Sequence, residues 1–422
     1  MRVHLAYGEE GLDVEVPDQA TVVVPRHEST HPDPRGALLE ALRSPIDAPP
    51  LRRLARRGQR VAISVCDITR AQPTEAMLLA VFEELDGIVA PEEITILIAT
   101  GTHRSNTPDE IVAMLGEEAA QRCRVLNHVA RDRSSLVDLG TVGDRVPLFV
   151  NREWVAADLK LTTGFVEPHF FAGFSGGPKM VVPGLAGLDT VLVLHDADRI
   201  GHPQATWGVV DDNPIHRDIR AAAAHPRAKP DLSLDVLLNS EQRITRVFAG
   251  ELFSMHRAAC AAARTAAMQK VPSAFDVVLT TNSGYPLDQN LYQSVKGMSA
   301  AAQVVKPGGI ILCAAECRDG LPDHGRYAAT LRSADSLEHL LEEIENRAQA
   351  IPDQWQVQIQ ALLHRKAEVL VHTTGLSQDQ LEAAHFKPAP DLEAALLESL
   401  ASAGPQATLC VLPEGPQTIP YL

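Results

Sequence analysis

The run from Glu167 to Lys179, EPHFFAGFSGGPK, puts a carboxylate, an imidazole (His169), a hydroxyl (Ser175), a glycine pair (Gly176, Gly177) and an amine (Lys179) on one short piece of chain. The surrounding stretch, Thr162 to Gly187, follows neither the period-2 nor the period-3.6 pattern of a segment built for packing. Glycine and proline punctuate it, so it reads as loop, and loops rich in ionisable groups often hold binding or catalytic chemistry. Two chemistries are open for its centre. Gly173-Phe-Ser-Gly-Gly177 matches the GxSxG elbow that exposes a nucleophilic serine, but that elbow must follow a strand directly. Phe170-Phe171-Ala172 is too short and too near Pro168 to supply one. Alternatively, the backbone N–H groups of Ser175, Gly176 and Gly177 form a cradle for an anion, with Lys179 adding charge. A plain glycine-rich turn accounts for the same residues equally well.

Elsewhere, His103, His169 and His195 each follow or flank a predicted strand or a loop at its end. A lone histidine is most often structural, and sixteen are present. Three placed together beside Asp67, Arg70 and Lys179 form a chemical set. Imidazole serves as acid or base near neutral pH and as a ligand for nickel, zinc or copper. No HExxH or other dense zinc spacing occurs, so the residues do not specify a metal. Further on, Gln293 and Lys296 lie one helical turn apart, as do Tyr292 and Lys296. An amide and an amine on one helix face make a receptor for a carboxylate, although a solvated face would look the same.

These residues need elements to place them. RVAISVC (60–66) and ITILIATGTH (94–103) read as buried strands, and DLKLTTG (158–164) as a third. Helices follow at Glu75–Leu85 and from Pro108, where Thr107 with Glu110 predicts a capping box. Strand, loop, helix and strand again is the pattern of a mostly parallel sheet, whose ligands sit beyond the carboxyl ends of its strands. That puts Asp67, Arg70, His103 and the 162–187 stretch on one rim. After a linker at Val271-Pro272-Ser273 the alternation restarts, with strands at 275–281, 308–315 and 367–373. Helices are expected at Lys296–Val305, Ser336–Ala348, Gln354–Leu363, Ser377–Ala384 and Leu392–Ala401. The expectation is an α/β protein of two α/β domains with mostly parallel sheets and an active-site cleft between them. Residues 1–270 form the N-terminal domain with the acid/base residues, and 275–400 the C-terminal domain; the tail 405–422 returns to the first.

Length and composition agree. The chain has 422 residues, 45% of them hydrophobic and 22% charged, an ordinary mix for two globular domains. A net charge of −16 and few aromatics exclude a nucleic-acid backbone, a base-stacking surface and an anionic membrane as general partners. No run approaches the roughly 20 apolar residues of a spanning helix. Six dispersed cysteines without a CxxC pair read as reduced thiols. The expected location is the cytoplasm.

The ordered blocks CDITRAQP, IATGTHR, GFVEPHFFAGFSGGPKMVVPG, VLVLHDADRIGHP, DDNPIHRD and PLDQNLYQSVKGM resemble the nickel-dependent lactate racemase family, from Asp67 to at least Trp355. The resemblance implies a racemase or epimerase of 2-hydroxy acids that uses a nickel pincer nucleotide. This cofactor is a pyridinium-3-thioamide-5-thiocarboxylic acid mononucleotide binding Ni(II), joined covalently to Lys179. It also implies His195 as the protein ligand to nickel, and His103 and His169 as paired acid/base groups. Arg70, Gln293 and Lys296 would hold the substrate carboxylate, with Tyr292 and Trp355 also against the substrate. Asp67, Thr69, Arg70, Ser175, Gly176 and Gly177 would lie near the cofactor. The implied partners are a small 2-hydroxy acid and the enzymes that make the cofactor. A serine hydrolase using Ser175, or a carrier of nickel or nucleotide, remain the alternatives; a carrier would not need both His103 and His169. The chain departs from the family pattern at Pro178, where the family often has arginine.

Overall fold

The structure, a computed structural model, describes residues 1–26, 28–322 and 325–422. The chain divides into two compact units. The first holds Met1–Arg26, His195–Trp207 and Thr265–Leu422, and the second holds His27–Leu194 and Gly208–Arg264.

The second unit is built on a six-stranded sheet. In spatial order its strands are Ile244–Gly250, Leu232–Leu238, Leu159–Phe165, Val61–Val65, Ile94–Ile98 and Arg124–Asn127. All neighbours run parallel except Ile244–Gly250, which pairs antiparallel with Leu232–Leu238. The central strand, VAISV, is buried at every residue, as a strand covered on both faces must be. Leu38, Ile63, Met77, Ile96, Leu161 and Val236 belong to the core around it. The helix Pro108–Arg122 begins at the expected capping box: Thr107 accepts from Glu110 N, and the Glu110 side chain reaches back to the Thr107 N–H.

The first unit carries a wholly parallel sheet in the order Lys387–Pro388, Glu368–His372, Val305–Ala314, Phe275–Thr281, Leu409–Leu412 and Thr21–Val22. The N-terminal hairpin, Arg2–Leu5 with Leu12–Glu15, pairs antiparallel. Its Val3, Leu5 and Val14 join Val277, Leu312, Leu396 and Val411 in one core.

The expected α/β class and mostly parallel sheets are therefore present, but the chain is shared out differently from the reading 1–270 and 275–400. Residues 1–26 and 195–207 belong with the C-terminal residues because the hairpin buries its apolar face there. The tail does not return to the second unit: Leu409–Leu412 fits between Phe275–Thr281 and Thr21–Val22. The helix expected at Lys296–Val305 spans Leu291–Ala301. Asn290 caps it by accepting from Gln293 N, and Val305 already begins the next strand. The strands Leu232–Leu238 and Ile244–Gly250 escape a pattern search because Ser233 and Asp235 interrupt the first, yet both side chains are buried. No helix among the described residues is long and apolar enough to cross a membrane.

Candidate active site

Three adjacent parallel strands of the second unit, Leu159–Phe165, Val61–Val65 and Ile94–Ile98, finish at one edge. Asp67, His103 and His169 lie in the loops that leave that edge, as the strand pattern implies. Asp67 is buried, while Thr69, Arg70 and His103 are exposed. The Asp67 carboxylate receives His103 Nδ1 at 2.7 Å, Thr69 Oγ1 at 2.6 Å and Thr69 N at 3.1 Å. Burial acts to raise the Asp67 carboxyl. The hydrogen bond and charge of His103, with Thr69 and the charge of Arg70, outweigh it and hold the group below its usual range. A carboxylate at Nδ1 fixes the His103 hydrogen there, so Nε2 carries a lone pair facing outward.

His169 is held the other way round. It sits in a two-residue ladder, Pro168–His169 against Gly173–Phe174, and its Nδ1 accepts the Ala172 N–H at 3.2 Å. The Nε2 of a neutral His169 therefore bears the hydrogen. Its ring lies 5.0 Å from that of Phe170 and meets that of Phe171 edge-on at 4.5 Å. Lys179 is half-buried on the short 3-10 turn Gly177–Met180, with Nζ 5.8 Å from the Phe171 ring centre. Ser64 Oγ donates to Met180 O at 2.7 Å, tying this turn to the central strand.

Ser175 does not have the surroundings of a nucleophile. Its hydroxyl donates to Phe165 O and accepts from Glu167 N, each at 2.9 Å. His256 Nε2 donates to the Ser175 carbonyl, not the hydroxyl. The strand that should precede an elbow is only Gly173–Phe174, which removes the serine-hydrolase alternative. Two N–H groups of the supposed cradle are also engaged: Ser175 N donates to Glu167 O at 2.9 Å and Gly177 N to Asp235 Oδ2 at 2.6 Å. Among the described residues, only the Gly176 N–H of that trio is uncommitted to a protein acceptor.

Asp235 was not evident in the sequence. It is buried, one oxygen holds the Gly177 N–H, and the other has no hydrogen-bond partner among the described residues. Burial pushes its carboxyl up to about 7, against the lowering effect of Gly177 N. Gly177 has φ +49°, and a Cβ there would lie 2.4 Å from His256 Cδ2. Only glycine lets the turn pass this close to the imidazole.

The first unit gathers the other candidates. Lys296 Nζ donates to Gln293 Oε1 at 2.6 Å, so the pair does share one helix face. Tyr292 meets Tyr327 edge-on at 5.2 Å. His195 is buried, its ring 4.7 Å from that of Trp355 on the helix Gln354–Lys366. That helix carries four buried glutamines, Gln354, Gln356, Gln358 and Gln360. Gln356 Nε2 donates to Tyr292 O at 2.6 Å, and Gln358 Nε2 to Ala197 O at 2.8 Å, two residues beyond His195. The signal was the alternation QWQVQIQ, polar at every second residue of a helix where an exposed face would repeat every three to four. Among the described residues, no three His, Cys, Asp or Glu side chains come together to hold a metal ion.

Comparison with known proteins identifies the family. Residues 7–208 match the lactate racemase N-terminal domain family, and residues 269–419 the lactate racemase C-terminal domain family. A lactate racemase of Thermoanaerobacterium thermosaccharolyticum is 33% identical over 99% of this chain and 98% of its own. A lactate racemase of Lactiplantibacillus plantarum is 35% identical over 89% of this chain and 88% of its own. The structure of the T. thermosaccharolyticum lactate racemase apoprotein superposes with a TM-score of 0.92 at 32% identity, each chain covered completely. A Thermotoga maritima protein of 18% identity shares the fold, with a TM-score of 0.67. With both of its halves matched and relatives spanning nearly its full length, the chain belongs to the lactate racemase family.

Proposed function

We propose that this protein racemises or epimerises 2-hydroxy acids, lactate or a close relative, with a nickel pincer nucleotide attached at Lys179. The observation that carries the reading is the pair of histidines at one sheet edge, His103 backed by a carboxylate and His169 by a backbone N–H. Inverting the carbon of a 2-hydroxy acid needs proton exchange on two sides, and this pair supplies two differently prepared imidazoles.

The residues fit the cofactor. No all-protein metal cage exists among the described residues. A nickel ion with one imidazole ligand would therefore take its remaining ligands from a bound organic group, as a pincer nucleotide provides. His195 is the candidate imidazole, and a neutral imidazole suits nickel. Lys179 is the candidate attachment amine. When bound, the group supplies a reversible acceptor for the hydride of the substrate's C2.

The chain's own residues do the rest. Lys296 and Gln293 hold the substrate carboxylate, and Arg70 offers a planar fork for the same purpose. His103 takes the hydroxyl proton at Nε2 as C2 becomes planar, and the Asp67 carboxylate stabilises the imidazolium that results. With the carboxylate held, the 2-keto acid turns its other face. His169 serves the oxygen there. Delivering a proton needs His169 as imidazolium, so its Nδ1 must give up the Ala172 N–H bond during the cycle. His103 keeps its Asp67 contact in both states.

The test is co-expression with the cofactor-making enzymes, then intact-protein mass, nickel analysis and chiral assay of lactate, malate and aryl-lactates. Expected are a mass gain mapping to Lys179, one nickel per chain and racemisation of at least one acid. An unmodified Lys179 peptide without nickel would overturn the cofactor assignment. A loaded protein that turns over none of these acids, and passes its cofactor on, would favour the carrier.

A further inference from the structure

A polar cavity lies behind the lysine turn, within the second unit. It encloses about 390 Å³ between the helices Pro214–Ala223 and Leu252–Ala267. Arg217 and Arg220 come from the first helix, and Arg257 and Arg264 from the second. In a chain of net charge −16, this wall sets four guanidinium groups against one lining carboxylate, Asp211. The spacing is what a shared wall requires: 217 and 220 are one turn apart, and 257 and 264 two turns.

Local partners account for only part of this charge. Arg217 Nε meets the buried Asp218 at 3.3 Å, and Arg264 donates to Gly208 O. Arg220 lies over the Phe253 ring, 4.4 Å from its centre, with Glu251 nearby but engaged by Lys229 at 2.7 Å. Among the described residues, no carboxylate is hydrogen-bonded to Arg220 or Arg257. Burial and the charge of Arg257 push the Arg220 guanidinium down from its ordinary value, outweighing the opposing charges of Glu251 and Asp211. The cavity is also lined by His216 and His256, stacked at 5.6 Å. His216 is buried, and its Nδ1 has no hydrogen-bond partner among the described residues.

We propose that this cavity binds a small phosphate-bearing anion, a phosphomonoester or diphosphate, held between Arg220 and Arg257. Arginine forks match the oxygens of a tetrahedral phosphate, and two facing forks call for more than the single charge of a monocarboxylate. The volume falls within the range of small-molecule sites, roughly 300–1,000 Å³. The anion has two possible sources. One is a freely dissociating metabolite. The other is the phosphate of the cofactor proposed at Lys179, since the lysine is close enough for its charge to act on His216 and His256. That second source alone rests on the functional reading above.

The test uses the full chain, made without the cofactor-making enzymes, titrated calorimetrically with inorganic phosphate and pyrophosphate at constant ionic strength. One saturable site is expected. Arg220→Gln and Arg257→Gln should each weaken it about tenfold or more, the effect of losing a charge-assisted contact. Arg131→Gln, an exposed change outside the cavity, should leave it unaltered. Arg257 is exposed on its helix, so its variant should melt like the parent and keep the comparison valid. No saturable binding, or equal binding by both cavity variants, would overturn the proposal. Repeating the titration on protein loaded at Lys179 separates the sources. A site already filled identifies the cofactor's phosphate, and an open one identifies a separate anion. Failure to racemise would leave the first titration intact, so the two readings fail independently.

Discussion

His103 and His169 use the same ring nitrogen for opposite purposes: Nδ1 of His103 gives its hydrogen to Asp67 at 2.7 Å, and Nδ1 of His169 receives one from Ala172 N at 3.2 Å. In the neutral state the two rings are opposite tautomers. Nitrogen-15 NMR of the histidine rings near neutral pH should show a protonated Nδ1 for His103 and an unprotonated one for His169. Identical tautomers would remove the asymmetry on which the proton path rests.

His103→Gln and His169→Gln should each lower racemisation by roughly 10²- to 10⁴-fold, the usual weight of one acid/base group. Each variant should still release 2-keto acid in a single turnover from one enantiomer, the one whose hydroxyl faces the remaining histidine. Equal yields from both enantiomers would argue against one histidine per face.

Asp67→Asn keeps the shape but removes the charge that stabilises a His103 imidazolium. A fall in kcat of roughly 10- to 100-fold with little change in KM is expected, because the carboxylate acts on the proton step and not on substrate binding. The Asp67 carboxyl is held below its ordinary 3.8, so its contribution to stability is present above that value and lost as pH falls through the lower, folded one. Thermal melts of Asp67→Asn and the parent should therefore differ at neutral pH and converge in acid below that value.

Asp235 works in the opposite sense. Its folded value is about 7 against an ordinary 3.8, so the folded protein binds the proton more tightly than the unfolded chain. Stability from this group is full below 3.8 and declines as pH rises towards about 7. Asp235→Asn should flatten the melting-temperature profile across that window. Asp235→Ala, which orphans the Gly177 N–H, should cost about 1–3 kcal/mol.

Lys296→Gln should raise KM for the 2-hydroxy acid about 10- to 100-fold, as expected for a lost charged contact to a carboxylate. Gln293→Leu should do less to the substrate directly, since Gln293 Oε1 accepts from Lys296 Nζ, and more to the position of that amine. A KM unchanged in both would place the carboxylate elsewhere.

Much of this was legible in the chain because the rules involved are local. The strand VAISV has no polar interruption, and Thr107 with Glu110 specifies its own helix start. Gln293 and Lys296 need only helical spacing to meet. What could not be read depends on long-range burial. Asp235 looks like a break in a strand until Gly177, far away in sequence, is seen to need an acceptor. The glutamines of 354–360 look solvent-facing until Tyr292 and Ala197 present carbonyls to them. The placement of residues 1–26 and of the tail follows from where Val3, Leu5 and Val411 find a common core, which no local pattern encodes. The neighbours of Pro178 do not explain why it replaces the family's frequent arginine.

The hydrogen bond from Arg264 to Gly208 O joins the first and last residues of one continuous segment of the second unit. That segment is thus already closed upon itself. Its interior is not free of the rest of the unit, because Leu232–Leu238 pairs with Leu159–Phe165 and Asp235 on that strand accepts the Gly177 N–H. The segment that carries the four arginines is therefore clasped at its ends and anchored at its middle, and the place where it can change length without pulling on the lysine turn is the exposed hairpin tip at 240–243.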